Sequence, residues 1–278
     1  MPLSILVPLL LQVGPGGGLP QAPLQIPRKS RDTIARPHKN STVAASSTLK
    51  ECLQFATSQP ADAIDLAEAW LAKAKTAQDR AGSRQCHALA LTRTGAWAEA
   101  APLFLAARED TAPLNERARL AALAGNASLA AQDPAGALAA LELARSDATQ
   151  GGDGKLRAAI AVDSARALVA LDRTTEAANA LTDARTFDPG NAEAWLLSAT
   201  LSRRQGDLSA AQSQIEKAAA LSPVDPEIGL EAGVIAMLLG RPEAARKSWQ
   251  SVISAAPGSD AAKTAQGYID QLGPPAGP

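Results

Sequence analysis

Between residues 48 and 272 apolar and polar positions follow one another in the short rhythm of amphipathic helices. A longer period lies over that rhythm. Residues 192–225 carry Trp195, Ala199, Gly206-Asp207-Leu208, Ala211, Ile215, Ala218 and Pro223. The scheme returns 34 residues later as Gly233, Gly240-Arg241-Pro242, Ala245, Trp249, Val252 and Pro257. Looser copies precede it. Residues 158–191 give Ala165, Ala177, Leu181, Ala184 and Pro189, and residues 118–151 give Gly125, Ala137, Leu141 and Ala144. Residues 81–114 give Ala88, Gly95-Ala96-Trp97, Ala100, Phe104 and Ala107, and a degenerate first copy around Cys52 to Trp70 supplies Ala63 and Ala67.

Each position has a physical reading. A small residue such as Ala199 or Gly233 suits the crossing of two helices, where a longer side chain would push them apart. Ala211 and Ala245 let a second helix approach its neighbours, while Ile215 and Trp249 fill the space between successive hairpins. Gly206 and Gly240 allow the left-handed backbone that closes a first helix. Pro223 and Pro257 end the second. One such hairpin cannot bury its own apolar face, so stacking must supply the core. All four tryptophans, at 70, 97, 195 and 249, fall at positions expected to be buried.

On these residues the chain resembles the tetratricopeptide-repeat family. The resemblance implies an all-α, right-handed superhelical solenoid of antiparallel helix hairpins, with about six repeats and a C-terminal capping helix carrying Tyr268 and Ile269. It further implies a concave groove, lined by the first helices, that receives a partner peptide or protein surface. Asn126, Arg166 and Arg203 then become candidates for gripping a carboxylate, since guanidinium forks suit carboxylates. Leu196, Leu230, Val234 and Met237 form an apolar stripe. That stripe either seats an amphipathic partner or packs under the capping helix. The implied function is a non-catalytic scaffold for protein–protein interaction. The alternative is an accessory subunit presenting a substrate protein to a separate cell-envelope enzyme or assembly machine.

Outside the repeats the texture differs. Residues 1–19 open with an apolar run of signal-like length, although no basic residue precedes it and no Ala-x-Ala site follows. We read it as an export signal, which places the chain in the periplasm or otherwise outside the cytoplasm. A cytoplasmic location is the alternative if the run is not a signal. Residues 20–47, rich in proline and basic residues, read as a disordered linker, 48–272 as the solenoid, and 273–278 as a frayed tail. The run is too short for a stable membrane span.

Composition removes several function classes. Only 3% of residues are aromatic, and alanine supplies much of the apolar count, which favours close-packed helices over sheets. A net charge of −1 lacks the basic surplus that nucleic-acid binding needs. Two histidines, His38 and His87, and two cysteines are too few for a His-based cluster or a four-thiolate zinc site. Neither a phosphate loop nor a nucleophile elbow is present. We therefore expect no enzyme activity, cofactor or metal. Cys52 and Cys86 lie 34 residues apart on successive first helices. Neighbouring axes stand about 8–10 Å apart, against a Cα limit of about 7 Å for a bridge. The pair forms either a disulfide at the closest approach or two separate buried thiols.

Overall fold

A computed structural model describes residues 42–273, with side chains from Thr48 onward. The candidate signal at 1–19, the linker up to residue 41, His38 and the tail beyond Gly273 lie outside the described residues. Among the described residues there are thirteen α-helices and no strand. They fall into two compact units that meet in the chain between Arg173 and Thr174.

The first unit holds α1 (Thr42–Ser58), α2 (Pro60–Lys73), α3 (Ala77–Thr94), α4 (Trp97–Glu109), α5 (Leu114–Ala130), α6 (Pro134–Gly151) and α7 (Gly154–Ala170). The second holds α8 (Thr174–Phe187), α9 (Ala192–Arg204), α10 (Leu208–Leu221), α11 (Pro226–Leu238), α12 (Pro242–Ala255) and α13 (Asp260–Leu272). Helix α1 begins six residues inside the segment read as linker. The stretch Val43-Ala44-Ala45 contains good helix formers and no proline, and that local propensity outweighs the proline-rich character of what precedes it.

Consecutive helices pack as antiparallel hairpins: α1 with α2, α3 with α4 and α5 with α6 in the first unit, α9 with α10 and α11 with α12 in the second. The turns that close the first helices share one backbone device. Gly95, Gln132, Asp172, Gly206 and Gly240 all have positive φ, between 58° and 83°. The residue after each donates its N–H to a carbonyl five residues back, from Ala96 to Leu91 through Arg241 to Ala236. This bond satisfies a carbonyl orphaned at the helix end. The start of the next helix is equally regular in the second unit. Asn191, Asp225 and Ser259, spaced by 34 residues, cap α9, α11 and α13 by accepting backbone N–H bonds at 2.9–3.4 Å. Helix α13 is thus the first helix of a further repeat that has no second helix among the described residues.

Size complementarity across each hairpin fixes how closely the helices pack. Sixteen residues separate the small position of the first helix from the large position of the second: Ala88 and Phe104, Gly125 and Leu141, Ala199 and Ile215, Gly233 and Trp249. All eight are buried. A Cβ added at Gly125 would lie 2.6 Å from Leu141 Cγ, and one at Gly233 would lie 2.1 Å from Trp249 Nε1. Glycine is required where the facing side chain is Trp249. Trp249 and Ile215 therefore sit inside their own hairpins as well as between hairpins: Trp249 also meets the Tyr268 ring on α13 at 5.0 Å, and Ile215 packs with Ile228 and Ile235 of α11.

The expectation for tryptophan holds fully only at Trp249, which is 1% exposed. Trp70, Trp97 and Trp195 are half-buried. Trp70 lies over Gly82 of α3, where an added Cβ would come within 2.5 Å of the ring. The Trp195 ring instead lies at a polar edge: its Nε1–H donates to Pro189 O at 3.0 Å, and the Arg185 guanidinium stands 4.9 Å above it.

Candidate partner-binding surface

First helices stand beside first helices. In the first unit α1 packs on α3 and α5 on α7; in the second α9 packs on α11 and α11 on α13. These first helices carry the residues expected to meet a partner.

In the second unit Leu196, Arg203, Leu230, Val234 and Met237 are all half-buried. Arg203 on α9 reaches across to Glu231 on α11, with Nε to Oε1 at 2.6 Å and Nη2 to Oε2 at 3.3 Å. Its side chain is only 17% exposed and that of Glu231 12%. This two-pronged pair ties successive first helices together, so the guanidinium already holds a carboxylate from its own unit. Leu230, Val234 and Met237 pack on a cluster of Ala236, Ala245, Trp249, Val252, Ala261 and Ala265, to which Tyr268, Ile269 and Leu272 of α13 also add. The apolar stripe is shared with the capping helix. Leu196 belongs to the neighbouring cluster around Ala199, Ile215 and Ile235.

Near these side chains lies Glu227, in the first turn of α11. Burial raises its carboxyl above the ordinary range, and the nearby Asp225 charge adds to the effect. Asp225 itself caps the helix.

In the first unit Arg166 on α7 donates to Asp163 Oδ1 at 2.8 Å, one turn back. Asn126 on α5 is half-buried, and its Oδ1 is buried without a hydrogen-bond partner among the described residues. Asn126 and Arg166 thus lie in one unit and Arg203 in the other.

The first unit is further held by ion pairs absent from the expected site residues. Asp110, at the end of α4, accepts from Arg80 Nε at 3.1 Å and pairs with Arg84. The Arg80 hydrogen bond holds the Asp110 carboxyl below the usual carboxylate range, against a weaker opposing effect of burial. Asp147 on α6, 4% exposed, accepts from Arg108 Nε at 2.8 Å and has Arg117 Nε at 3.5 Å. The signal for these pairs lay in the spacing: Arg80 to Arg117 and Asp110 to Asp147 are both 37 residues, the local repeat length. Cys52 on α1 and Cys86 on α3 are joined in a disulfide, with Cα atoms 5.9 Å apart and both residues fully buried. That separation meets the geometric requirement for a bridge.

Among the described residues no group of three or more His, Cys, Asp and Glu side chains is placed to hold a metal ion. No helix among them is long and apolar enough to cross a membrane.

Known proteins agree with this architecture. A tetratricopeptide-repeat profile matches residues 162–226 and 197–260. No curated protein sequence matches the chain. Among solved structures, that of PilW, a widely conserved type IV pilus biogenesis factor, superposes with a TM-score of 0.65 at 16% identity, covering 82% of this chain and 100% of that one. The pilF protein of Pseudomonas aeruginosa gives 0.63 at 13% identity, over 82% of this chain and 98% of that one. A thermophilic tetratricopeptide-repeat protein of Thermus thermophilus gives 0.54 at 18%, over 68% and 98%. At such identities the likeness establishes the fold. Together with the hairpins and the recurring caps, the matched profile identifies residues 162–260 as tetratricopeptide repeats within a fold of that type.

Proposed function

We propose that the protein is a non-catalytic scaffold that binds a partner peptide or protein surface along its first helices. The observation carrying this reading is helix α11. Apart from Glu227 and Glu231 its residues are apolar, from Ile228-Gly229-Leu230 through Val234-Ile235-Ala236-Met237-Leu238. An apolar helix needs cover all round, yet Leu230, Val234 and Met237 are only half-buried and Leu238 is 36% exposed. Beside them the Arg203–Glu231 pair is neutral overall, which favours an apolar or mixed segment over a strongly charged one. A carboxylate grip by Arg203 would first have to displace Glu231.

The same reading places the protein in the periplasm or another exported setting. What supports it is the Cys52–Cys86 disulfide, a bond that persists in oxidising compartments.

Site-specific photo-crosslinking in the native cell tests the binding surface. A crosslinker at Leu196, on the first-helix side, is expected to capture a discrete protein; one at exposed Ser213, on the outer side of α10, is expected to capture none. Equal capture from both positions refutes the assignment of the surface.

A further inference from the structure

The two cysteines join helix α1 to α3 at a place where the fully buried side chains are small. Of the described side chains of α1, only Cys52 and Ala56 are fully buried, and Leu49, Leu53 and Phe55 are half-covered. The buried residues around them are Ala63, Ala67, Cys86 and Ala90, none of them large. Among the described residues this cluster has no fully buried counterpart of Phe104, Leu141, Ile215 or Trp249. Helix α2 is anchored differently. Ser83 Oγ on α3 donates to Ala67 O at 2.7 Å, Trp70 lies on Gly82, and Ile64 packs against the cluster of Ala88, Leu91 and Phe104. Three independent contacts thus tie α2 to the second hairpin, whereas the described part of α1 sets half-covered Leu49, Leu53 and Phe55 against a cluster of small buried residues and is joined to α3 by the covalent bond.

We propose that the Cys52–Cys86 bond is a redox latch that holds α1 alone on α3. A dithiol reductant opens it in two steps. One reductant thiolate attacks a protein sulfur, the S–S bond breaks, and a mixed disulfide forms as the other cysteine leaves as a thiolate and takes up a proton. The second reductant thiol then displaces the remaining cysteine, and the reductant departs as its own disulfide. Two electrons pass to the protein, leaving two thiols. Both cysteines are fully buried, so attack waits on a local opening of α1, and reduction is correspondingly slow. Once the latch is open, α1 leaves and uncovers the faces of α3 and α2 around Cys86, Ala90 and Ala63. The partner surface of α9 and α11 is not involved.

Hydrogen–deuterium exchange on the full chain, with and without excess dithiothreitol, tests the latch, thiol alkylation reporting the redox state. Reduction is expected to speed exchange over residues 48–58 by about ten-fold or more while 60–94 keep their protection. Four results overturn the proposal: unchanged exchange in α1 after confirmed reduction, release of α2 along with α1, loss of protection throughout the first unit, or a bond that stays intact in native buffer. The variant Cys52→Ala/Cys86→Ala should show fast exchange over 48–58 whether or not reductant is present. Should that variant fail to fold, reduction of the wild-type chain decides the matter alone.

Discussion

Gly233 and Gly267 are both interior helical glycines, and their surroundings give the same substitution opposite signs. Replacing glycine by alanine within a helix ordinarily stabilises by about 0.8–1 kcal/mol. At Gly267 on α13 an added Cβ meets nothing within 4 Å, so Gly267→Ala is expected to raise stability by roughly that amount. At Gly233 the new methyl would fall 2.1 Å from the ring of Trp249, which cannot swing away because it is buried and donates to Leu230 O at 3.2 Å. Gly233→Ala should therefore cost about 1–3 kcal/mol of overpacking, with Trp249→Leu restoring much of it in the double variant. Urea denaturation measures all three, and a neutral Gly233→Ala would disprove the close packing. The turns carry a second residue-level strain. Gln132 holds a φ of 61°, which its repeat equivalents at 95, 206 and 240 meet with glycine. Gln132→Gly is expected to stabilise the first unit by about 0.5–1 kcal/mol, seen as a rise in melting temperature.

Between helices, charge replaces some of the packing that alanine cannot provide. Asp147 is nearly fully buried, with Arg108, itself 7% exposed, on α4 and Arg117 on α5 facing it. Asp147→Asn leaves the Arg108 charge without its buried partner and should cost about 3 kcal/mol. The triple change Arg108→Met/Arg117→Met/Asp147→Leu should recover most of that loss, because the desolvation cost disappears with all three charges. Asp110 brings pH into the same unit. Its folded carboxyl is held low by Arg80, so its stabilising share is complete at neutral pH and is lost as pH falls below about 4 toward the folded value. Asp110→Asn should flatten that acid limb in pH-dependent melting of the first unit. If the wild type and Asp110→Asn melt in parallel below about pH 4, the ion pair contributes nothing. Of these pairs only Arg80–Asp110 and Arg117–Asp147 left a sign in the sequence, the repeat spacing of their members. Apolar periodicity reports which face a residue shares, not which partner an exposed arginine will reach. Arg203 illustrates the limit: its place on the first-helix face was readable, but Glu231, 28 residues on, became its partner only through the lateral offset of α9 against α11. Caps and turns were the opposite case, since Gly206, Gly240 and Pro223 act locally and declare themselves in the sequence.

At the scale of the whole molecule, the 34-residue period exposed the hairpins because each needs the same small and large positions, whereas Gln132 and Asp172 disguised two turns in the insertion-bearing copies. The role of α13 was half legible. Its amphipathic pattern pointed to a cap, but the division of Leu230, Val234 and Met237 between cap and groove depends on helix placement that periodicity does not report. That division sets a testable balance. In a repeat array each element is stabilised by its neighbours, and the end element must close the core. Helix α13 covers Ala236, Trp249 and Val252 with Ala261, Ala265 and Tyr268, and Arg246 Nη2 donates to Gly273 O at 2.7 Å at its far end. A chain ending at Gly258 loses all of this while keeping both helices of the last hairpin. If the net loss is about 1–2 kcal/mol, the second unit should melt about 5–10 °C lower. Trp249 fluorescence should shift to the red as its ring meets water, a change that Tyr268→Ala reproduces in part. The three half-buried residues of α11 would lose the cover of α13 and become more exposed, so the truncated chain should also bind a hydrophobic dye that the complete chain leaves in solution. An unaltered melt with unaltered fluorescence would mean that α13 only rests on the array, and the apolar stripe would then belong to the partner surface alone.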